Sequence, residues 1–182
     1  LWNRLNRRHK QIWEGRSVPD SNEEYYLYQT LLGTWPLEPF AQGEFEQYIE
    51  RIETHMLKAM REAKINTEWI NPDLEYEARA ITFLRSILDR AKESPFLEDF
   101  RLFQKKIAHF GIWNSLSQTL LKITSPGVPD FYQGTETWDF SLVDPDNRRL
   151  VDFVRRRELL KGLRRKISNP RLRRSKLVKE LM

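Results

Sequence analysis

The sequence predicts a mainly α-helical fold with one short buried strand, and three observations lead to that prediction. Apolar residues recur at spacings of three and four over several long stretches, which is the period of an amphipathic helix. Capping residues and prolines mark where those stretches begin and end. One run, residues 128–132, is instead short, β-branched and aromatic, and it lies between two glycine-containing turns. Such a run is typical of a strand.

The first two predicted helices cover residues 1–14 and residues 21–32. The first has apolar and aromatic residues at helical spacing and ends at Gly15. The second begins in a capping box, in which the Ser21 hydroxyl accepts from an otherwise unpaired backbone N–H and Glu24 reaches back to the start of the helix. The predicted apolar side of the second helix consists of Tyr25, Tyr28, Leu31 and Leu32.

Three more helices are predicted before the strand. The most amphipathic covers about residues 42–63, and its apolar stripe consists of Phe45, Tyr48, Ile49, Ile52, Met56, Ala59, Met60 and Ala63. The pattern breaks over residues 64–70, after which Asn71 is predicted to cap a helix with Pro72 at its first position. That helix is predicted to bury Ala80, Ile81, Leu84, Ile87, Leu88 and Ala91. The last, residues 96–123, begins with a second cap followed by proline.

The chain after the predicted strand is interpreted as a turn, a helix and a basic tail. Residues 144–147, Asp-Pro-Asp-Asn, have the composition of a turn. Asp152 is predicted to cap a helix over residues 153–167. The inward side of that helix is predicted to consist of Leu159, Leu160, Leu163 and Ile167. A proline then interrupts the helix, and residues 168–182 form the tail.

Composition excludes several classes of function. The chain has no cysteine, so disulfide and thiolate chemistry are excluded, and we expect a cytoplasmic protein. No apolar run is long enough to cross a membrane, so no membrane partner is expected. None of the three histidines, His9, His55 and His109, has the spacing to other ligands that a zinc site needs. We therefore expect no metal and no cofactor.

Charge is distributed unevenly along the chain. The formal net charge is +5, but residues 148–182 contain 14 Lys and Arg against 3 Asp and Glu. One hypothesis is an α-helical nucleic-acid-binding module that uses this basic block. The alternative is a solvated helix with no nucleic-acid partner. We favour the alternative, because the aromatic residues that would stack on bases lie mostly outside the block.

Three motifs, in order along the chain, carry a resemblance to one enzyme family. The first is EYYLYQTLLGTWP at residues 24–36, and the second is KAMREAK at residues 58–64. The third, residues 126–152, begins PGVPDFYQGTE and continues with WD, SLVDPDNRR and VD. Together they resemble the maltooligosyl trehalose synthase family, which is part of the α-amylase clan of glycoside hydrolases. The resemblance covers most of residues 1–160.

The resemblance implies that the chain is a segment of a larger (β/α)8-barrel enzyme. Residues 1–123 would then be a helical insertion between barrel strands seven and eight. Residues 124–167 would supply the last barrel strand, its loop and the following helix, and residues 168–182 a truncated basic tail. The implied activity is an intramolecular transglucosylation, which converts the reducing-end α-1,4 bond of a maltooligosaccharide to an α,α-1,1 bond. Another hydrolase or transferase of the α-amylase clan is the rival enzyme interpretation.

The catalytic carboxylates of such an enzyme are expected outside this chain. In the resembled family they lie on barrel strands four and five, with a third Asp in a His-Asp motif after strand seven, and none of those motifs occurs here. We therefore assign no catalytic residue, and we expect the chain alone to be inactive on a maltodextrin. The residues predicted to contact sugar lie where the helical pattern breaks: Lys64, Thr67, Trp69, Tyr132, Gln133, Glu136, Trp138, Asp144, Asp146, Asn147 and Arg148.

For several of these residues a purely structural role is an alternative to sugar contact. Tyr132 would serve either the barrel wall or a sugar subsite, and Trp69 would either stack on a glucose or only pack. Glu136 would orient a neighbouring side chain rather than react. Residues 144–148 would form either a sugar-gripping loop or a self-satisfied turn with an Arg–Asp pair. An unpaired strand edge also invites self-pairing, so we expect that a non-physiological dimer of the chain can form.

Overall fold

The computed structural model describes residues 1–91 and 94–168. The predicted basic tail, residues 168–182, lies outside the described residues except for Ser168. The chain divides into two compact units. The first unit consists of residues 1–127 and 140–147. The second consists of residues 128–139 together with the chain from Arg148 onward.

The described chain is mainly helical, as the sequence predicts. Its elements, in order, are α1 (Trp2–Asn6), a 3-10 helix (Arg7–His9), β1 (Gln11–Trp13), β2 (Arg16–Val18), α2 (Ser21–Thr34), α3 (Glu44–Ala63), α4 (Leu74–Leu88), α5 (Pro95–Thr124), a second 3-10 helix (Asp146–Arg148) and α6 (Phe153–Ile167). Within the described residues no helix is long and apolar enough to pass through a lipid bilayer.

The predicted helix over residues 1–14 is wrong beyond its first turns. The chain leaves α1 through a 3-10 helix and forms an antiparallel hairpin, in which Trp13 of β1 faces Arg16 of β2. Glu14 and Gly15 form the two-residue turn, with φ angles of 47° and 74°. Two successive left-handed residues match the twist of a tight hairpin, so Gly15 turns a strand rather than ending a helix.

The predicted strand at residues 128–132 is not a strand in the described chain. The two-stranded sheet of β1 and β2 is the sheet that the described residues form, and residues 128–132 are in irregular backbone outside it. Val128 is 98% exposed and Tyr132 is 69% exposed. A β-branched and aromatic composition does not make a strand by itself, because the backbone groups of a strand need a neighbouring strand to bond with.

Helix starts follow the predicted chemistry but not always the predicted residue. Asp20, not Ser21, is the N-cap of α2, and Glu23 completes the capping box. Asp73, not Asn71, caps α4 through the backbone N–H of Tyr76 at 2.9 Å. In both places the chain offers two competent capping residues close together. The predicted cap of α5, Ser94, and that of α6, Asp152, are confirmed.

The core of the first unit lies between α2, α3, α4 and the first turns of α5. Its fully buried large side chains include Leu27, Leu31, Ile52, Phe83, Leu84, Ile87, Leu88, Phe96 and Phe100. Tyr76 is buried in a second cluster with Val18, Met60 and Ala80. Three residues that were predicted on apolar sides are exposed instead: Tyr25, Ala63 and Ala91. The predicted inward side of α6 is also exposed at Leu159, Leu160 and Ile167.

Candidate functional site

Two loops of the first unit hold six of the predicted sugar-contacting residues. The 64–70 loop follows α3 and carries Lys64, Thr67 and Trp69. The 140–147 loop carries Asp144, Asp146 and Asn147. Both loops are held by side chains of α3, so this helix is the scaffold from which the candidate site is built.

The 64–70 loop leaves α3 at a left-handed residue and is tied to the start of α2. Lys64 has a φ of 55° and ends the helix. The Asn66 side-chain amide donates to the Asp20 carboxylate at 2.8 Å and to the Glu23 carboxylate at 3.0 Å. Because these two carboxylates form the capping box of α2, the loop position depends on where that helix begins.

A buried carboxylate on α4 organises the centre of the same loop. The buried Thr67 hydroxyl donates to Glu77 at 2.6 Å and accepts from the backbone N–H of Asp73 at 3.1 Å. Arg61 donates to both oxygens of Glu77, at 2.8 and 2.7 Å. Arg61 foremost, with Thr67, holds the pKa of the Glu77 carboxyl below its ordinary value. The Arg61 guanidinium carbon lies 5.0 Å from the ring centroid of Trp69, which is 54% exposed.

Two cationic side chains of α3, Arg51 and Lys58, donate hydrogen bonds to the 140–147 loop. Arg51 donates to the two oxygens of Asp146 at 2.8 Å each, and the backbone N–H of Leu142 donates to the same carboxylate at 2.7 Å. Lys58 donates to the backbone carbonyl of Asp144 at 2.6 Å. Asp146 is thus engaged by the protein on both oxygens, and it fits the predicted Arg–Asp pair, although the arginine is Arg51 rather than a loop residue.

His55 lies on the same face of α3, one turn from each of those cations. Its Nε2 is 2.7 Å from the Tyr26 hydroxyl, and the two rings stack with centroids 5.7 Å apart. Burial, and then the charge of Lys58, lowers the pKa of His55, while the Asp146 charge opposes that effect. The imidazole is therefore neutral near pH 7 and packs beside the loop without adding charge.

The other predicted contacts lie in the second unit. Glu136 accepts from the backbone N–H of Gly134 at 3.0 Å and from Arg156 Nε at 2.9 Å. Arg156 also donates to the Gly134 carbonyl at 2.6 Å. The backbone N–H of Glu136 itself, and then Arg156, lowers the pKa of this carboxyl. Glu136 therefore holds its own turn together with Arg156. Exposed predicted residues in this unit are Tyr132, Gln133, Trp138 and Arg148.

The arrangement supports recognition of a polar ligand better than acid–base chemistry. Glu136 is paired with Arg156, which lowers the pKa of its carboxyl and disfavours a proton donor. Asp146 accepts hydrogen bonds from Arg51 on both of its oxygens. Among the described residues no three histidine or acidic side chains are grouped to hold a metal ion. Exposed aromatic rings and fixed charged side chains remain, and groups of these kinds can form ring contacts and hydrogen bonds with a polar ligand.

Sequence reasoning missed the residues that support the loops: Arg51, His55, Arg61 and Glu77. The first three flank the apolar stripe of α3, where charged residues are ordinarily read as solvated. The available signal was their spacing: Arg51, His55 and Lys58 recur at four and three, which places them on one helical face beside the core.

A cavity of about 480 Å³ lies elsewhere in the first unit. Its lining includes Trp2, Tyr28 and Phe103, and none of the predicted site residues. The buried carboxylate at its edge, Glu24, is paired with Lys10 at 2.6 Å and accepts from the Tyr28 hydroxyl at 2.5 Å. The Glu24 carboxylate at the edge of this cavity therefore already has its hydrogen-bond partners within the protein.

Comparison with known proteins identifies one group of relatives. A predicted maltooligosyl trehalose synthase of Mycobacterium tuberculosis is 38% identical over 147 residues, which is 80% of this chain and 18% of the relative. A solved glycosyltrehalose synthase is 45% identical with a TM-score of 0.73, covering 88% of this chain and 19% of that one. A crystal structure of a maltooligosyl trehalose synthase is 39% identical with a TM-score of 0.75 and covers 88% and 20%. No protein-family profile matches the chain.

These comparisons confirm the resemblance that the motifs indicate: the chain is similar to one segment of the maltooligosyl trehalose synthases. The chain spans about a fifth of the length of those relatives. At 38 to 45% identity both the fold and the sequence of the segment correspond, so the likeness extends beyond a shared helical architecture.

Proposed function

We propose that this chain, similar over four fifths of its length to one segment of the maltooligosyl trehalose synthases, is the corresponding segment of such an enzyme. The observation that carries the proposal is the joint agreement of sequence and backbone with a solved enzyme of that name, at 39% identity and a TM-score of 0.75. The enzyme would be a (1→4)-α-D-glucan 1-α-D-glucosylmutase, an isomerase in trehalose biosynthesis.

In the proposed reaction, a maltooligosaccharide loses its reducing end without losing a glucose. A carboxylate outside this chain attacks the anomeric carbon of the penultimate glucose, the α-1,4 bond breaks, and the terminal glucose leaves with a proton from a second carboxyl group. The released glucose stays bound, turns, and its C1 hydroxyl attacks the glycosyl-enzyme bond. The C1 hydroxyl gives its proton to the second carboxylate, which lost one in the first step, and the bond to the first carboxylate breaks as the α,α-1,1 bond forms.

The part of this chain would be to bind and to exclude water rather than to react. Water at the glycosyl-enzyme stage would give free glucose instead of transfer, so the released glucose has to be held in a closed site. The 64–70 and 140–147 loops, held rigid from α3, are suited to that role. We therefore keep Lys64, Trp69, Asp144 and Asn147 as proposed sugar contacts. Thr67 and Asp146, which are engaged within the protein, would instead hold those loops in place.

The long helix α5 supports placing the chain within a larger protein. Beyond its first turns it exposes large apolar side chains on several sides: Phe103, Ile107, Phe110, Trp113, Leu116, Leu120, Leu121 and Ile123. A helix that is apolar on all sides is ordinarily buried. In the proposed barrel the rest of the enzyme would cover this helix and would pair with residues 128–132 as the eighth strand.

Product analysis of the full-length enzyme tests the proposed function. With maltopentaose as substrate, we expect a product of unchanged mass that has lost its reducing end, because the anomeric carbons of the terminal glucose and the penultimate glucose at that end become joined. The 182-residue chain alone, as the matched control, should leave the substrate unchanged. Formation of shorter reducing sugars as the main products would instead indicate a hydrolase of the α-amylase clan.

A further inference from the structure

We propose that Arg61 is a positioning residue that holds Trp69 as a one-sided platform for a glucose ring. The inference rests on the proposed function, because it takes a maltooligosaccharide as the ligand. It adds two residues that are not among the predicted sugar contacts: Arg61, which lies within the second motif, and Glu77. Neither side chain needs to touch the sugar.

Arg61 lies over one face of the Trp69 ring. The Arg61 guanidinium carbon lies 5.0 Å from the ring centroid, which is within the range of a cation–π contact. One face of the indole is thereby covered by the protein. Trp69 is nevertheless 54% exposed, which leaves the face away from Arg61 available to a ligand. A single open aromatic face is what the C–H face of one pyranose ring can cover.

The Arg61 side chain is held in place by the carboxylate of Glu77. Its guanidinium makes two hydrogen bonds, of 2.8 and 2.7 Å, to a carboxylate that belongs to the buried residue Glu77. Such a two-point contact fixes the orientation of the planar guanidinium as well as its position. The same carboxylate accepts the Thr67 hydroxyl at 2.6 Å, two residues before Trp69. The Glu77 carboxylate therefore fixes both the Arg61 side chain over the ring and the loop backbone that carries Trp69.

Holding the Trp69 ring in place has a consequence for sugar binding. An aromatic ring on a free loop loses conformational freedom when a sugar stacks on it, and that loss weakens binding. A ring that is already held by Arg61 and Glu77 has less freedom to lose. In the proposed reaction this matters most for the released glucose, because only non-covalent contacts keep it in the site while it turns.

The chain offers a matched control for a purely structural role. Arg79 lies over the ring of Trp13 with its guanidinium carbon 4.3 Å from the centroid, and it is paired with Glu75 at 2.5 Å. This is the same kind of arginine–tryptophan contact, built from α4 and β1, and it lies on no proposed sugar-contacting loop. Substitution of Arg79 should thus affect stability without affecting products.

The test is the ratio of free glucose to transfer product formed from maltopentaose by the full-length enzyme. We expect Trp69→Ala and Arg61→Met to raise this ratio by similar factors, about 5- to 10-fold, in line with the loss of one stacking or cation–π contact. Arg61→Lys, which keeps the charge but not the two-point contact, should raise it less. Arg79→Met should leave it unchanged. The ratio is independent of how much of each variant is folded, since both products come from the same active molecules.

A second measurement follows the position of the ring in the 182-residue chain itself. The indole N–H resonance of Trp69, assigned by its loss in Trp69→Phe, should shift in Arg61→Met and stay in place in Arg79→Met. An unmoved Trp69 resonance in Arg61→Met would overturn the positioning role. An unchanged product ratio in Arg61→Met, in an enzyme that does form the transfer product, would overturn the glucose platform.

Those outcomes are separate from failure of the proposed function. A full-length enzyme that forms no non-reducing product at all would contradict the proposed function, and the glucose platform with it. The resonance of Trp69 would still decide whether Arg61 positions the ring.

Discussion

Glu77 is a buried carboxylate that serves two neighbours at once, Arg61 and Thr67. A buried charge is tolerated when it is paired and its remaining lone pairs are satisfied. Glu77 meets both conditions. It is therefore the residue at which loop position and stability are coupled, because the same bonds that orient the 64–70 loop offset the cost of burying the charge.

The lowered pKa of Glu77 gives a prediction about stability and pH. A carboxyl whose pKa is lower in the folded chain contributes stability that is fully present above its unfolded pKa, about 4.3, and is lost as the pH falls through the folded value. Glu77→Gln should lower the free energy of unfolding at pH 7 by about 1 to 3 kcal/mol. It should also make the fall in stability below pH 5 shallower than in the unsubstituted chain.

Urea unfolding of the 182-residue chain between about pH 3 and pH 7 measures both effects. Glu75→Gln is the matched control, because Glu75 forms an exposed ion pair with Arg79 and such pairs contribute about 0 to 1 kcal/mol. The two variants should differ most at neutral pH. If Glu77→Gln and Glu75→Gln cost the same at pH 7, the Glu77 pair does not stabilise the fold.

At the scale of elements, the hairpin of β1 and β2 depends on backbone conformation more than on packing at its turn. Gly15 has a φ of 74°, and no atom lies within 4 Å of the point where a Cβ would stand. Gly15→Ala should therefore cost only the strain of a left-handed residue, about 1 to 2 kcal/mol in the free energy of unfolding. Chemical denaturation of the chain measures that loss.

Gly33 in α2 provides the control for the same substitution. It is also open to a methyl group, but it lies in a helix and has no positive φ. Gly33→Ala should stabilise the chain by about 0.5 to 1 kcal/mol, because alanine loses less backbone freedom on folding. The two identical chemical changes should thus act in opposite directions. Equal effects would mean that the turn at Gly15 is not under conformational strain in solution.

The contacts of Asp20 explain why the N-cap of α2 is predicted one residue late, at Ser21. Asp20 and Ser21 are both good N-caps, and each has a glutamate three residues later. The tertiary contacts of Asp20 decide between them: its carboxylate accepts from Asn66, and its backbone N–H donates to the Tyr76 hydroxyl at 3.3 Å. Local propensity alone cannot separate two caps that differ in such distant partners.

At the scale of the whole molecule, the exposed apolar surface of α5 predicts self-association of the isolated chain. Large contiguous apolar patches are rare on monomeric proteins and mark surfaces that become covered. We expect the 182-residue chain to form dimers or larger species at concentrations on the order of 100 μM, in analytical ultracentrifugation. These oligomers would form because the isolated chain exposes this surface, and they would have no physiological role.

Charge placed on that surface should oppose the association. Leu116→Lys combined with Leu120→Lys should weaken it about tenfold or more, since each leucine that is no longer buried removes about 1.5 to 3 kcal/mol. Gln118→Lys adds the same charge at an exposed polar position of the same helix and is the control. A monomeric unsubstituted chain, or equal effects of leucine and glutamine substitutions, would contradict the role of the apolar surface.

Sequence patterns alone predict the helices from α2 to α6, two of their caps, Ser94 and Asp152, and the resemblance to one enzyme family. These follow from information that is local or motif-based: apolar spacing, capping chemistry and short ordered runs of residues. Tertiary structure decided the hairpin after α1, the choice of Asp20 and Asp73 as caps, and the support of the 64–70 loop by Glu77 and Arg61. The long-range contacts behind these features join residues far apart in the chain. Trp13 of the hairpin donates to Asp73, 60 residues away, Asn66 donates to Asp20, 46 residues away, and Arg61 donates to Glu77, 16 residues away. Pairing of residues 128–132 is non-local in the same sense, because a strand exists only where another strand accepts its backbone bonds.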